Sequence, residues 1–151
     1  MSFEGILWVV LLAALPISEI RGALPYGVFV KQLPLPVAFG VAFWGNVIPF
    51  FLVMRFLPFV FSFLQRMQWF HRFWVWYTEK AKKHFDPYRK YGRWGILLFI
   101  GIPLPFTGVW TGSLIAFLLG FRFWEIFPFA LGGVAMAGSI VMLFILFGRG
   151  M

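Results

Sequence analysis

Two stretches of the chain carry no charged side chain over a length sufficient to cross a lipid bilayer. Residues 32–54 and residues 126–148 each form a run of 23 uncharged residues. The hydrocarbon core of a bilayer is about 30 Å thick, and a helix crosses it with roughly 20 residues. The segments Pro36–Met54 and Ile126–Gly148 are therefore predicted to be transmembrane helices.

The composition extends this interpretation to the whole chain. Of its 151 residues, 62% are hydrophobic, 23% are aromatic and 12% are charged, whereas a soluble domain carries about 25% charged residues. A soluble enzyme domain is thereby excluded. The chain has no cysteine and two histidines, so thiol chemistry is ruled out and neither a metal nor a cofactor is expected. No pattern of catalytic residues stands out, and we expect no enzymatic activity.

A third uncharged run, residues 94–121, is interrupted near its middle. Pro103 and Pro105 each remove a backbone donor and clash with the preceding helical turn. The flanking segments Trp94–Ile102 and Trp110–Phe121 would be about 14 and 18 Å long as helices, roughly half a membrane each. They predict a re-entrant hairpin that turns at mid-depth. Because lipid cannot satisfy non-helical backbone, this turn must be buried in protein or line a wet cavity.

The N-terminal region follows the same plan. A short apolar helix over about Phe3–Leu15 leads to a break over residues 16–22, then Pro25, and a second short helix ends at Lys31. The order of short helix, break, short helix and full span therefore occurs twice. Since two hairpins do not cross the membrane and two spans do, the halves are predicted to be inverted repeats, as in many transporters.

The repeats divide one all-α membrane domain, residues 1–151, into residues 1–64, a linker over 65–93, and residues 94–151. An offset of 86 residues supports the division by placing Gly22 on Gly108, Pro34 on Gly120 and Asn46 on Gly132.

The linker concentrates the positive charge. Between Arg66 and Arg93 it carries eight basic and two acidic residues, which is +6 of the net +8. Helical periodicity places its aromatic residues on one face, so we predict an amphipathic helix at the interface that contacts anionic lipid headgroups and ends at Asp86-Pro87. Nucleic acid is disfavoured as a partner. The positive-inside rule predicts a cytoplasmic linker in a multi-pass plasma-membrane protein, with both termini outside.

Glu19 and Arg21 are the leading candidate site residues, because charge at membrane depth is costly and indicates function. Arg21 can hold a phosphate bidentately, aided by the N-termini of the half-helices. Glu19 would neutralise Arg21 or carry a proton. Alternatively, the first 15 residues lie on the surface and the two side chains form an interfacial salt bridge.

The remaining candidates are uncharged and lie at the breaks or inside the first span. Asn46 can hydrogen-bond across helices or line a cavity. Arg55 and Glu125 are charged, but they lie near the predicted ends of the spans, where snorkelling of the side chains to the membrane surface explains them without a functional role. In the second hairpin, freed backbone groups, hydroxyls and an aromatic face can bind a ligand, or the small residues simply permit close packing. The candidates that join Glu19 and Arg21 are Gly22, Pro25, Asn46, Pro103, Pro105, Thr107, Gly108, Trp110, Thr111 and Gly112.

Three motifs in this order resemble those of the small multidrug export protein family, whose plan is similar to that of the DedA/VTT superfamily. They are Pro16-x-x-Glu19-x-Arg21-Gly22-Ala23-Leu24-Pro25-x-Gly27, Gly45-Asn46-x-x-Pro49, and the run from Ile102 to Gly112. Phe106 departs from the glycine expected there. The resemblance implies opposed re-entrant hairpins and, from the DedA-like relatives, movement of lipids or polyprenyl phosphates, in some cases coupled to protons.

These observations lead to three functional hypotheses. The first is a flippase or scramblase that binds an anionic lipid or polyprenyl-phosphate headgroup at Arg21. The second is proton-coupled export of lipophilic cations, with Glu19 and Trp110 as binding groups. The third is a membrane scaffold that transports nothing. Since two spans hardly enclose a pathway, a homodimer is expected.

Overall fold

The computed structural model describes residues 3–85, 89–104 and 107–150, and within these ranges the backbone is helical without any strand. The helices are α1 (Phe3–Ala14), α2 (Glu19–Pro25), α3 (Leu35–Leu64), α4 (Gln68–Phe85), α5 (Arg89–Gly101), α6 (Val109–Leu118) and α7 (Phe123–Gly150). A π-helical turn over Tyr26–Val30 extends α2. The all-α class predicted from the sequence is confirmed for the described residues.

Two helices are long and apolar enough to cross a membrane, namely α3 over Leu35–Leu64 and α7 over Phe123–Gly148. They contain the segments predicted to span. Only 22% and 39% of their most apolar windows are buried, whereas the core helix of a soluble protein would be mostly buried. Their apolar surfaces therefore fit a lipid environment better than water.

The short helices pair into two antiparallel hairpins. In the first hairpin, α1 and α2, Lys31 Nζ lies 3.6 Å from Glu4 Oε1 and joins the two open ends. In the second hairpin, α5 and α6, the Phe121 ring covers Gly92 so closely that a Cβ there would lie 3.1 Å from it. We call the break over residues 15–18 and the break over residues 102–108, each together with the first turn of the helix that follows it, the first and second tips.

Each hairpin packs closely along one long helix. A Cβ on Gly45 of α3 would lie 3.0 Å from the Val10 carbonyl oxygen of α1. A Cβ on Gly133 of α7 would lie 2.9 Å from the Leu97 carbonyl oxygen of α5. The two glycines therefore permit the backbones to approach each other, as small residues do between membrane helices.

Two aromatic residues of the amphipathic helix α4, Phe70 and Trp74, contact the rest of the protein, whereas Phe73 and Trp76 are exposed. The Phe61 ring of α3 lies 5.7 Å from the Phe70 ring and 4.6 Å from the Trp74 ring, and it also contacts Phe117 at the end of α6. Trp69 of α4 remains exposed. The predicted end of this helix at Asp86-Pro87 lies outside the described residues.

The two halves are less regular than a constant offset of 86 residues predicts. The helices α1 and α5 start 86 residues apart, α2 and α6 start 90 apart, and α3 and α7 start 88 apart. The offset rises to 90 because the break over residues 102–108 is longer than that over residues 15–18 and α5 is one residue longer than α1, and it falls to 88 because α7 follows the start of α6 more closely than α3 follows the start of α2. Gly22 is helical, whereas Gly108 has a positive φ, so these two glycines are not conformationally equivalent.

Two boundaries also differ from the expectation. Pro25 does not break the chain but lies inside α2, and the π-helical turn that follows it is the kind of local adjustment that accommodates proline in membrane helices. The helix α5 begins at Arg89, so the last basic residues assigned to the linker belong to the second hairpin.

Candidate functional site

Glu19 is the first residue of α2 and lies where the two tips meet. It is 4% exposed, and its backbone adopts a φ of +47°, a left-handed conformation that is uncommon for a residue with a side chain. Its Oε1 accepts the backbone N–H of Trp110 at 3.4 Å, and the Val109 N–H faces the same carboxylate. The carboxylate therefore occupies the N-terminus of α6, where free N–H groups favour an anion.

Gly108, the residue before α6, makes room for that carboxylate. Its φ of +145° and ψ of −169° belong to a region that is essentially restricted to glycine. A Cβ at this position would overlap the carboxylate group of Glu19. Both the backbone conformation and the close approach therefore require glycine here.

We expect Gly108→Ala to lower the free energy of unfolding by about 2–4 kcal/mol, since backbone strain alone costs about 1–3 kcal/mol and the carboxylate must also move. Unfolding in detergent measures the change. Gly120→Ala is the matched control, because Gly120 has a φ of +76° but nothing within 4 Å of its Cβ position. It should cost about 1–2 kcal/mol. Equal losses for both variants would show that Glu19 does not crowd Gly108.

Arg21 connects the first hairpin to the second tip. Its guanidinium donates hydrogen bonds to the carbonyl oxygens of Leu104 and of Thr107, the latter at 2.9 Å from Nη2. Nη2 also lies 4.0 Å from Glu19 Oε2. The two charged residues thus contact the second tip in complementary ways, since the carboxylate receives N–H groups and the guanidinium binds carbonyl groups.

Two uncharged side chains complete the contact between the tips. The Trp110 indole Nε1 donates to the Ala14 carbonyl at 2.9 Å, which links α6 to the end of α1. Within the second tip, Thr107 Oγ1 accepts the Leu104 N–H at 3.1 Å and donates to the Ile102 carbonyl at 2.7 Å. These bonds satisfy backbone groups that proline and the turn leave without helical partners.

The space between the tips is small. A cavity of about 10 Å³ separates them, enough for at most one water molecule. Its lining residues are Glu19, Ile20, Arg21, Ile100, Pro103, Thr107 and Ala137. A headgroup of any kind can enter only if the tips move apart, so the structure corresponds to a closed state of this region.

Asn46 lies beside this cluster without joining it. It is 1% exposed, and its Oδ1 has no hydrogen-bond partner in the described part of the chain. The neighbouring Gly45 touches Ala13, one residue from the carbonyl that Trp110 binds. The Asn46 Oδ1 atom therefore does not make the hydrogen bond across helices that the sequence analysis considered. A buried amide of this kind requires a water or ligand donor.

The structure brings six of the predicted site residues together, namely Glu19, Arg21, Pro103, Thr107, Gly108 and Trp110. Gly22 and Pro25 lie further along α2. Gly112 packs against Ile100 and allows α5 and α6 to approach each other, and Thr111 makes no polar contact with the described residues. Pro105 lies outside the described residues.

Sequence reasoning missed the backbone groups of the site. The carbonyls of Leu104 and Ala14 and the N–H of Val109 take part in the contacts, but residue type carries no signal for them. Among the described residues, His, Asp and Glu side chains form no group of three that could hold a metal ion.

Comparison with protein families gives one match. The model of the family described as "Putative small multi-drug export protein" matches residues 19–140, which is 122 of the 151 residues and includes Glu19, Arg21 and the whole of the second tip. No curated protein and no solved structure matches the chain.

Proposed function

The chain belongs to the small multi-drug export protein family, and we propose that it is a membrane transporter of amphiphiles with a phosphate headgroup, such as lipids or polyprenyl phosphates. The headgroup binds between the two tips, while the apolar chain stays in the bilayer. The apolar, mostly unburied helices α3 and α7 support placement in a membrane.

Connectivity supports an inverted arrangement of re-entrant hairpins. If α3 crosses the membrane, the first hairpin opens on one side and the second hairpin on the other. The helices α1, α5 and α6 are 10–13 residues long, and α2 with its π-helical turn covers residues 19–30. Each arm is therefore about 15–20 Å long and reaches about halfway across. The ends of the hairpin arms and the cavity between the tips lie beside the middle of the spans, since Gly45 of α3 packs on Ala13 of α1 and Ala137 of α7 lines the cavity. Gly45 lies about 15 Å from the start of α3, and Ala137 lies about 21 Å from the start of α7.

The observation that carries the proposal is the position of the Glu19 carboxylate. It sits at the N-terminus of α6, with the Arg21 guanidinium 4.0 Å away. Backbone N–H groups and a guanidinium are the groups that bind phosphate in proteins. The carboxylate therefore occupies an anion site, and a substrate phosphate would compete with it for the same donors.

Binding then requires the tips to open. When Arg21 leaves the carbonyls of Leu104 and Thr107, its donors become available for phosphate. Protonation of Glu19 removes the competing negative charge from the N-terminus of α6. Proton binding and phosphate binding are thereby coupled through one carboxylate, because protonation of Glu19 favours binding of the substrate phosphate.

Export of lipophilic cations is the second candidate. The family description favours it, and the same buried Glu19 carboxylate is a counter-ion for a cation once Arg21 has moved away. In this mechanism a proton and the cation compete for Glu19. Protonation of Glu19 therefore disfavours binding of the cation, whereas it favours binding of a phosphate. A scaffold without transport predicts no functional loss on neutral substitutions at the tips.

Competition between headgroups separates the two transport mechanisms. Proteoliposomes that contain the protein are assayed for exchange of fluorescent phosphatidylglycerol between leaflets, with empty liposomes as the control. We expect polyprenyl phosphate to inhibit the exchange, while tetraphenylphosphonium and quaternary ammonium ions do not. Inhibition by the cations alone would favour the exporter, and exchange no faster than in empty liposomes would contradict lipid transport.

The transporter also contacts lipid headgroups and a second copy of itself. The exposed aromatic residues and basic side chains of α4 contact anionic lipid headgroups on the cytoplasmic side of the plasma membrane. Two spanning helices enclose little space, so a homodimer supplies the remaining walls of the pathway.

A further inference from the structure

A second cavity lies on the outer face of α3 and α7, where α3 carries its only charged residue. It measures about 680 Å³, and apolar side chains line it together with the exposed Arg55. We call it the Arg55 groove. Its apolar walls include Ile48, Phe51, Leu52, Phe56 and Trp124.

Arg55 has a charge that the described part of the protein does not neutralise. Glu4, Glu19 and Glu125 lie within 4.0 Å of Lys31, Arg21 and Arg93 respectively. None of the described carboxylates lies within that distance of Arg55. A guanidinium in apolar surroundings is stabilised by an anion that it can bind bidentately.

The position of Arg55 along α3 matches the level of lipid phosphates. Twenty residues separate it from Leu35, the start of the helix, which is about 30 Å at helical rise and equals the hydrocarbon thickness of a bilayer. Ile48 lies seven residues earlier, about 10 Å deeper in the membrane. The Arg55 groove thus runs from the headgroup level on the side of α4 toward the bilayer centre.

Aromatic rings in tilted and edge-to-face contact form one wall of the groove. The Phe51 ring lies 5.2 Å from the Phe123 ring, and the Phe123 ring lies 5.0 Å from Trp124. Trp124 is 77% exposed, and tryptophan is enriched where a membrane meets water. This wall is apolar along its length and ends beside the guanidinium of Arg55. An apolar wall with one positive charge at its end matches a lipid that has apolar chains and one negative charge on its headgroup.

From this geometry we infer that the Arg55 groove binds one anionic phospholipid of the leaflet on the side of α4. The phosphate binds the guanidinium of Arg55, and an acyl chain lies along Phe51 and Leu52 toward Ile48. The site is separate from the tips, so it holds its lipid whether or not the tips bind a substrate.

Native mass spectrometry of protein released from vesicles of equal parts phosphatidylglycerol and phosphatidylcholine tests the inference. We expect the wild type to retain one phosphatidylglycerol in preference to phosphatidylcholine. Arg55→Gln should weaken this retention about tenfold, the effect of losing one charge-assisted contact. Lys31→Gln is the matched control, because it removes a cation outside the groove and should leave retention unchanged.

A second pair of variants tests the apolar wall without removing a charge. Trp124→Ala should weaken retention of the lipid, whereas Trp44→Ala, which removes another exposed tryptophan of the spans, should not. Both positions are exposed, so neither variant is expected to unfold the protein.

Three results would overturn the inference. One is equal retention by the wild type and Arg55→Gln. Another is equal retention of the two lipids by the wild type, which would mean that the headgroup is not recognised. The third is a lipid-free dimer that Trp124→Ala converts to a monomer, since a second copy would then cover the groove.

Discussion

Arg21→Gln is expected to reduce phosphatidylglycerol exchange in proteoliposomes by at least about 30-fold. The guanidinium holds two carbonyls of the second tip in the closed state and binds the phosphate in the open state. Arg21 can donate two charge-assisted hydrogen bonds to a phosphate, a hydrogen bond to a charged group contributes about 1.5–3 kcal/mol, and each 1.4 kcal/mol is tenfold. Arg21→Lys should recover part of the activity, because lysine keeps the charge but not the bidentate geometry.

The control for this variant is Arg93→Gln. Arg93 is also an arginine in an ion pair, with Nη2 lying 3.3 Å from Glu125 Oε1, but it lies at the open end of the second hairpin. We expect its exchange rate to stay within about twofold of the wild type, because this half-buried pair lies away from the tips. Circular dichroism and gel filtration establish that each variant is folded. Equal activity of the two variants would remove Arg21 from the mechanism.

Glu19→Gln is expected to abolish the pH dependence of exchange. In the wild type, a fall in pH protonates Glu19, which vacates the N-terminus of α6 for the phosphate, so exchange accelerates. One titrating group changes a rate by at most about tenfold per pH unit. Glutamine carries no charge at any pH, and its exchange should be constant between pH 6 and pH 8. Phosphatidylglycerol suits this test because its phosphodiester keeps its charge over that range.

Glu125→Gln provides the comparison for Glu19→Gln. Glu125 is the acidic partner of Arg93 and also caps the start of α7 by accepting the Arg122 N–H at 2.9 Å. This variant should retain the wild-type pH profile. A profile that persists in Glu19→Gln would contradict the coupling, and exchange that slows as the pH falls in the wild type would indicate competition between a proton and a cationic substrate.

The long helices were predictable because their signal is local. An apolar, uncharged run of about 20 residues has few stable structures in a membrane other than a spanning helix. Both α3 and α7 contain the predicted segments. The break at Pro16 and the helix through Pro25 show the limit of that reasoning. Whether a proline ends a helix depends on how neighbouring turns satisfy the freed backbone groups, and at Pro25 a π-helical turn follows.

At the candidate site, the charged residues could be chosen from the sequence, but their partners could not. Glu19 and Arg21 stand out by charge alone. Their contacts with Trp110 N–H and with the Leu104 and Thr107 carbonyls depend on tertiary packing. The repeat predicted two similar tips, whereas the structure gives them different roles. Charged side chains of the first bind the backbone of the second, and the Trp110 indole of the second binds the Ala14 carbonyl of the first hairpin.

The central claim is that the two hairpins enter the membrane from opposite sides and that their tips meet inside it. The chain has no cysteine, so a single introduced cysteine reports its own position. A membrane-impermeant maleimide, applied to sealed vesicles of known orientation, measures the accessibility of Lys31→Cys, Arg66→Cys and Ile17→Cys.

We expect Lys31→Cys to react from one side only, Arg66→Cys from the other side only, and Ile17→Cys from neither. Ile17 lies in the first tip and is 90% exposed, so its own chain does not shield it from the reagent and a position inside the membrane must do so. Rapid labelling of Ile17→Cys, or labelling of Lys31→Cys and Arg66→Cys from the same side, would contradict the account.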